Sequence, residues 1–267
     1  MSRCTGAGNG GRYDDKARVR TVIVAQAVKQ WMRGLVGAVA PFIEPIEPLV
    51  LWNTGIAALR RQGFAPRTVF DIGVAQGTPA LYAAFPSARF VLVDPTRESL
   101  PYMNRLARRL DAEVCPLALG DRDGEMEIEV RCDDIQGATF FHEIGPLGPT
   151  ERYPVPVRRF DSLFATFNRP ALCKVDVQGA ELMVLRGMGA SIHDIDAIIV
   201  ETSAIATVAD APEIFDVIAF LRREGFVIFD LLGLARRPLD HALAQIDLLL
   251  VKEESPFRAD RRWRATL

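Results

Sequence analysis

Two acidic residues end short apolar runs, at positions that suit binding of a ligand with positive charge or hydroxyl groups. Asp71 opens the segment DIGVAQG, in which Gly73 and Gly77 let the backbone turn sharply and approach a ligand. The spacing is G-x-x-x-G with an acid in front, whereas dinucleotide loops read G-x-G-x-x-G and present amides to a pyrophosphate. A carboxylate here repels that anion and favours an ammonium or sulfonium centre. The alternative is a tight strand–helix turn with a solvated Asp71.

Asp94 ends the next apolar run, FVLVD. An acid at the tip of a second strand is placed to accept hydrogen bonds from ribose hydroxyls, which predicts a nucleoside without naming it. The alternative is a cap for the helix that follows Thr96. A third acid, Asp121 in ALGDRDG, is a candidate acceptor for the amine of an adenine ring, and an ordinary turn explains that segment equally well.

Asp176 and Glu201 end two later apolar runs, KVDV and AIIVE. A charge in a buried strand is costly unless it is paired or lies at the strand's end, so we expect Asp176 to face a cleft with Glu201 beside it. Together they could accept a proton from a hydroxyl or place a substrate, and capping or pairing with Lys174 is the alternative. His142, in a polar stretch, is a further candidate base, although a lone loop histidine more often has no such role.

Apolar runs that alternate with helical patterns position these acids. Such runs indicate parallel strands that are buried on both faces and joined by right-handed crossovers, an α/β doubly wound sheet. The predicted strands are residues 68–74, 90–94, 112–119, 171–177, 197–202, 225–231 and 246–252. The last two leave no room for a helix between them, so the final strand should be antiparallel. EMEIEV alternates like a half-exposed strand, and Cys132–Pro156 is predicted to be an insertion loop.

Residues 1–48 are predicted to form a tail, a helix over about residues 19–39 and a proline-rich connector. Residues 49–267 are predicted to form the main domain, beginning with a helix. The apolar stretch VIVAQAV resembles a signal peptide only superficially, because Gln26 and Lys29 interrupt it. The N-terminal helix either leads into the domain or docks on a membrane surface or a partner.

The composition is that of a globular protein with a core: 49% of residues are hydrophobic, 25% are charged, and the net charge is -2. Nothing in this balance indicates a nucleic-acid partner, and no segment has the roughly 18 apolar residues of a membrane span. The cysteines form no CxxC pair and the histidines are dispersed, so no metal site is predicted. A cytoplasmic location is the default expectation.

The order of these segments resembles the FkbM-type methyltransferases over about residues 59–252. The segments are TVFDIGVAQG, FVLVDP, LALGDRDG, KVDVQGAELMVLRG, IIVETS and the closing pair GFVIFDL and IDLLLV. The fourth segment and the closing pair are the more specific. The resemblance implies a seven-stranded sheet and transfer of a methyl group from S-adenosylmethionine, usually to a hydroxyl oxygen of a sugar, glycan or natural product.

Carried over residue by residue, the resemblance implies that Asp71, Gly73 and Gly77 hold the methionine part of the cofactor and that Asp94 holds the ribose. It also implies that Asp176 and Glu201 stand nearest the reacting centre. The chain departs from the usual pattern twice. Val74, Ala75 and Gln76 replace a DIGANxG-like loop, so Gln76 takes over the contact of the usual Asn or that contact is lost. Gln178 stands where Glu is often found.

Two other functions compete with methyl transfer. One is a nicotinamide-dependent oxidoreductase, which Asp71 and the missing third glycine disfavour. The other is a catalytically silent methyltransferase-like domain that binds a nucleoside or a partner. The sequence leaves the identity of the acceptor, the need for a general base and the oligomeric state open.

Overall fold

The computed structural model describes residues 49–142, 144–145 and 148–263. The strands are β1 (Leu49–Val50), β2 (Thr68–Ile72), β3 (Arg89–Val93), β4 (Ala112–Cys115), β5 (Ala118–Leu119), β6 (Gly124–Arg131), β7 (Thr150–Arg158), β8 (Ala171–Val175), β9 (Ala197–Ser203), β10 (Phe226–Arg236) and β11 (Leu243–Lys252). The α-helices are α1 (Trp52–Arg61), α2 (Pro79–Ala84), α3 (Leu100–Ala107), α4 (Phe160–Leu163), α5 (Glu181–Gly187) and α6 (Ile214–Arg223). Short 3-10 helices cover Ile135–Gly137, Gly189–Asp194 and Pro256–Arg258.

The main sheet has the strand order β1-β10-β11-β9-β8-β2-β3-β4. Strands β4, β3, β2, β8 and β9 are mutually parallel, and β11 is antiparallel to both β9 and β10. The predicted doubly wound, mostly parallel sheet of seven strands with an antiparallel last strand is therefore confirmed. The two-residue strand β1 adds an eighth at the edge, antiparallel to β10. The predicted helix beginning at Leu49 was wrong in its first turn, since α1 starts at Trp52. The predicted N-terminal tail and helix lie outside the described residues, and they stay predictions.

The central strands are buried on both faces, which explains their continuous apolar runs. All five residues of β2 and all five of β8 are buried. On one face Phe70 packs against the rings of Phe160, Phe164 and Phe167. On the other face the rings of Phe90 and Tyr82 meet edge to face. Two apolar layers thus fix the strands whose carboxyl ends carry the candidate site.

A second, three-stranded sheet has the order β5-β7-β6 and corrects two expectations. The predicted strand 112–119 divides at Pro116 into β4 and β5, which belong to different sheets. The predicted insertion loop Cys132–Pro156 was wrong at its end, because β7 begins at Thr150. Pro154 and Pro156 suggested a loop, but the alternating residues Tyr153, Val155 and Val157 are buried, and β7 pairs with β6 over its whole length.

The chain changes direction across the main sheet between β2 and β8. From β2 the following strands β3 and β4 extend to one side, whereas β8 and β9 lie on the other. Asp71 of β2 is in register with Lys174 of β8. Such a switch point leaves a crevice outside the carboxyl ends of the strands, where ligands bind in open α/β sheets. Gly73 leaves β2 here with a φ of 79°, and a Cβ at this position would overlap the backbone oxygen of Asp176.

Replacing Gly73 by alanine should therefore destabilise the fold more than the same change at Gly63. Gly63 also has a positive φ, of 93°, but a Cβ there would meet no atom within 4 Å. Gly63→Ala should cost about 1 kcal/mol of the free energy of unfolding through backbone strain alone, and Gly73→Ala about 2–4 kcal/mol because a collision is added. Urea unfolding of the two variants measures the difference. Equal losses would contradict the close approach of β2 and β8.

Candidate active site

A cavity of about 400 Å³ lies at the carboxyl ends of β2, β3, β8 and β9, at the predicted switch point. Its floor is formed by the loop after β2, by Asp94 and by the tips of β8 and β9. Its polar lining includes Thr96, Gln136, Thr139, Lys174, Asp176, Gln178, Glu201 and Asp247. Its apolar lining includes Leu117, Ala118, Leu119, Ile128, Ile135 and Phe140. The volume lies in the range of small-molecule sites.

Three amides of the glycine loop, those of Gly73, Ala75 and Gly77, are already used within the protein. Gly73 N–H donates to Val93 O at 2.9 Å, and Gly77 N–H donates to Val74 O at 2.6 Å. Ala75 has a φ of 45° and donates its N–H to the Asp94 carboxylate at 2.8 Å. These N–H groups are therefore not presented to a ligand. This arrangement disfavours a bound pyrophosphate, which requires free loop amides, and so disfavours the nicotinamide-dependent alternative.

Asp71 lies behind the cavity wall rather than in it. The residue is fully buried and is absent from the cavity lining, so the expectation that its carboxylate faces the ligand was wrong in position. The Tyr82 hydroxyl donates to Asp71 Oδ2 at 2.5 Å, and Lys174 Nζ lies 3.2 Å from Oδ1. The Oδ1 contact is an ion pair without hydrogen-bond geometry. Burial raises the pKa of the Tyr82 hydroxyl and the charge of Asp71 raises it further, so the tyrosine remains a donor.

Lys174 connects the carboxylate behind the wall to the one in the cavity. Its ammonium group donates to Gly73 O at 2.5 Å and lies 3.3 Å from Asp176 Oδ2. Burial by itself lowers the pKa of Lys174, but the charges of Asp176 and Asp71 raise it above its usual value. The lysine is therefore charged, and it fixes the glycine loop to β8.

Asp94 lines the cavity with a carboxylate that also shapes the backbone. One oxygen accepts the Thr96 N–H at 2.9 Å and the Thr96 hydroxyl at 2.6 Å, and the other accepts the Ala75 N–H. The alternative that Asp94 caps the next helix was wrong, because α3 begins at Leu100 with Ser99 at its N-cap, and Asp94 closes a turn at Thr96 instead. Each carboxylate oxygen has two lone pairs, so Oδ2 retains acceptor capacity for a ribose hydroxyl.

Asp176 and Glu201 lie together in the cavity, as their places at adjacent strand ends predict. Gln178 bridges them: its amide donates to Asp176 Oδ1 at 3.1 Å and to Glu201 Oε1 at 2.7 Å. Gln245 donates to the same Glu201 oxygen at 2.8 Å. Burial raises the pKa of Glu201 well above its usual value, and the charges of Asp176 and Asp247 raise it further. Asp176 lies beside the Lys174 ammonium group whereas Glu201 is held by neutral amides, so the two carboxyl groups can serve opposite functions in one proton transfer.

Besides Asp71, three of the predicted site residues do not line the cavity. Gln76 is exposed, and Asp121 lies on the turn after β5, with its Oδ1 buried and unpaired. His142 has a side chain that is 72% exposed and contacts Arg152 and Glu129. The structure thus separates His142 from Asp176 and Glu201.

Sequence reasoning missed the wall opposite β8. Trp52 and Asn53 at the start of α1 and Asp247 of β11 line the cavity. Asp247 is in register with Glu201, and its pKa is raised by burial and then by Asp176. The alternation in IDLLLVK marks Asp247 as an acid in a buried strand, the signal that identified Asp176. No sequence pattern pairs it with Trp52.

The cavity is electrostatically negative. Lys174 is the one cation among its described lining residues, whereas Asp94, Asp176, Glu201 and Asp247 are acids. A cationic ligand reduces the repulsion among these carboxyl groups. Among the described residues, no group of three or more His, Cys, Asp or Glu side chains has a metal-binding arrangement. Nor does any helix in the described ranges have the length and apolarity needed to cross a bilayer.

Comparison with protein-family models gives a match to the methyltransferase FkbM domain over residues 71–228. The match covers more than half of the chain and contains the end of β2 and the whole of β3, β8 and β9. The chain belongs to this methyltransferase family. The predicted resemblance is confirmed, and the methyl donor of the family is S-adenosylmethionine, the cofactor that the sequence predicts.

Similar solved structures include three methyltransferases. An FkbM methyltransferase from Methylobacillus flagellatus KT is 18% identical with a TM-score of 0.43, and the match covers 69% of this chain but 43% of that chain. The magnesium protoporphyrin IX methyltransferase of Synechocystis PCC 6803 is 13% identical with a TM-score of 0.41, covering 91% and 100%. The 1,6-didemethyltoxoflavin-N1-methyltransferase of Burkholderia thailandensis is 13% identical with a TM-score of 0.39, covering 92% and 94%. A search of curated proteins gives no match.

The cavity fits S-adenosylmethionine in three respects. Its excess of carboxyl groups suits a sulfonium and an ammonium, and Asp94 retains acceptor capacity for hydroxyls. The apolar residues Leu117, Leu119 and Ile128 offer a surface for a flat base.

The Lys174 ion pairs should be essential to stability. Lys174→Met leaves the buried Asp71 carboxyl without its cationic partner, which should cost about 3–5 kcal/mol of the free energy of unfolding. Adding Asp71→Asn removes the unpaired charge and should restore part of the loss. Lys252→Met is the matched control, because Lys252 is also buried but donates to a backbone oxygen and contacts no carboxylate directly. Urea unfolding measures all four proteins, and a double variant no more stable than Lys174→Met would contradict the pairing.

Glu181 gives a pH dependence of stability. Burial raises its pKa to about 7 from an ordinary 4.5, despite hydrogen bonds from the backbone N–H groups of Val177 and Gly179. Because the folded-state pKa is the higher one, its contribution is fully present below about pH 4.5 and is lost as the pH rises through about 7. The loss is about 3 kcal/mol for this shift.

Glu181→Gln should remove this dependence. The free energy of unfolding of the wild type minus that of the variant should fall between pH 4.5 and 7.5. Asp247 titrates alike in both proteins and cancels, whereas the pKa of Glu201 is less raised in the variant because the charge of Glu181 is gone. A difference that is constant with pH would show that Glu181 ionises normally.

Proposed function

We propose that the chain transfers a methyl group from S-adenosylmethionine to a hydroxyl oxygen of a small-molecule acceptor, such as a sugar, a glycan or a natural product. One observation carries the proposal: Asp176 and Glu201, joined by Gln178, lie in the cavity that contains the Asp94 carboxylate. A hydroxyl is a weak nucleophile near neutral pH, and an adjacent carboxylate that accepts its proton is what it requires.

When bound, the cofactor supplies a methyl group that is already activated on a sulfonium. The protein then has to orient two substrates and exclude water, which can supply on the order of 7–11 kcal/mol of barrier reduction. We assign the ribose to Asp94 and the methionine part to the loop from Gly73 to Gly77. Asp71 supports that loop indirectly, through Lys174 and its bond to Gly73 O.

Asp176 is the proposed general base. Lys174 Nζ lies 3.3 Å from Asp176 Oδ2, and burial raises the pKa of the neighbouring Glu201 well above its usual value. Asp176 accepts the hydroxyl proton while Glu201 positions the acceptor. His142 contributes nothing in this arrangement, because it is exposed and does not line the cavity.

A silent domain that binds the nucleoside without turnover is the second candidate. The departures at Gln76 and Gln178 favour it, since both replace residues usual in the family. The acid pair in the cavity favours the enzyme.

We also propose a cytoplasmic location, a small-molecule or glycan partner rather than nucleic acid, and a domain boundary near residue 48. The location is supported by Cys115 and Cys173, which are buried free thiols. Burial raises the pKa of Cys115 to about 11, so this thiol stays protonated and unreactive.

Asp176→Asn tests the general base. It should lower the maximal rate of methyl transfer by about 10²–10⁴-fold and leave the dissociation constant of S-adenosylhomocysteine, measured by calorimetry, within about threefold. Asp210→Asn is the control, because Asp210 is exposed and does not line the cavity. Transfer of labelled methyl to a panel of sugars and hydroxylated metabolites provides the rate. Unchanged turnover would remove Asp176 from catalysis, and cofactor binding without any methylated product would favour the silent domain.

A further inference from the structure

Part of the cavity wall lies outside the residues that the family model matches. That match covers residues 71–228, whereas Trp52 and Asn53 come from α1 and Asp247 comes from β11. The matched part supplies the glycine loop, Asp94 and Asp176. The part of the cavity wall formed by Trp52, Asn53 and Asp247 thus lies outside the match, and it is the part in which this chain can differ from other family members in the methyl acceptor that it binds.

Trp52 holds Asp247 in one orientation. Its indole N–H donates to Asp247 Oδ2 at 2.9 Å, between residues 195 positions apart in the chain. No group of the described residues donates to Asp247 Oδ1, and this oxygen is not among the buried unpaired atoms. Oδ1 is therefore an accessible acceptor in the cavity.

Both oxygens of Asp176 already have partners, since they contact Lys174 and Gln178. Glu201 Oε1 accepts from Gln178 and Gln245, which leaves Oε2 of Glu201 and Oδ1 of Asp247 without a partner among the described residues. Asp247 is the one of these two that is held from outside the matched residues, by Trp52.

We propose that Asp247 determines acceptor specificity: its Oδ1 accepts a hydrogen bond from an O–H or N–H of the methyl acceptor, and Trp52 is the positioning residue. The inference rests on the proposed function and adds a second donor group to the acceptor, beside the hydroxyl that is methylated. An acceptor that lacks this donor leaves a desolvated carboxyl oxygen unpaired and is rejected.

The polarity of the Trp52 contact gives a specific test. In Asp247→Asn the indole N–H of Trp52 must face the amide oxygen, so the amide NH₂ faces the methyl acceptor. The group that accepted a hydrogen bond from the methyl acceptor is thus replaced by one that donates. In the double variant Trp52→Phe/Asp247→Asn the amide is free to rotate and present its oxygen. The double variant should therefore need less extract for half-maximal transfer than Asp247→Asn alone. A loss of packing would not produce this recovery.

The experiment uses the full chain and a deproteinised small-molecule extract of the source cells as the acceptor pool. Transfer of labelled methyl is titrated with extract. Asp247→Asn should raise the amount of extract that gives half-maximal transfer at least tenfold. In the double variant this amount should be at least threefold lower than in Asp247→Asn. The dissociation constant of S-adenosylhomocysteine should stay within twofold of the wild type. Asp210→Asn and Trp263→Phe, both at exposed positions, are the matched controls and should behave as the wild type.

Unfolding in urea checks that each variant is folded. Trp52→Phe alone keeps the Asp247 carboxylate but removes the hydrogen bond that orients it, so it should raise the half-saturating amount of extract severalfold. Two results would overturn the inference while leaving the proposed function intact. One is an Asp247→Asn variant that needs no more extract for half-maximal transfer than the wild type, and the other is a double variant that needs as much extract as Asp247→Asn. A wild-type chain that binds S-adenosylhomocysteine but labels nothing would overturn the proposed function and this inference with it.

Discussion

The buried ammonium group of Lys174 is the contact on which the site depends. It lies against Asp71, Asp176 and the carbonyl of Gly73, so one charge joins β2, β8 and the loop between β2 and α2. Two ionised carboxyl groups this close to a sheet interior would repel each other and would carry a large desolvation cost if unpaired. The lysine offsets both effects, and the backbone can then adopt the tight path that Gly73 allows.

This arrangement divides the acids of the cavity into two groups. Asp71 and Asp176 share a cation, whereas Glu201 and Asp247 are held by neutral amide and indole N–H groups. Neutral donors stabilise a negative charge less than an ammonium does, so the second pair stays closer to protonation. Carboxyl groups of unequal proton affinity within one small cavity are the arrangement from which acid and base functions are assigned.

The sequence predicted those parts of the molecule that depend on local pattern. Continuous apolar runs gave the parallel strands, and acids at their ends gave Asp94, Asp176 and Glu201 in the cavity. Prediction was weaker where a residue's neighbours come from distant chain positions. Asp71 has the expected type and place in its strand, but Lys174 and Tyr82 enclose it, and neither contact is visible in the spacing of the loop.

Prolines also made the prediction of the second sheet less accurate. Pro154 and Pro156 lack the donor that a strand usually requires, and β7 was therefore predicted as loop. Its pairing with β5 is only two residues long, at Ala118 and Leu119, so β7 is otherwise open on that side and tolerates the missing donors. The roles of the site residues remain predictions, whereas their places in the fold follow from strand order and register.

The position of the final strand has a consequence for how much of the chain the cavity requires. β11 does not join the sheet at its margin but inserts between β9 and β10, and it brings Asp247 to Trp52. Without β11, both β9 and β10 would have an unpaired edge within the sheet, and the cavity would lack the wall that Asp247 forms. β11 follows all the residues that the family model matches, so a fragment limited to the matched residues would contain neither partner of the Trp52–Asp247 contact.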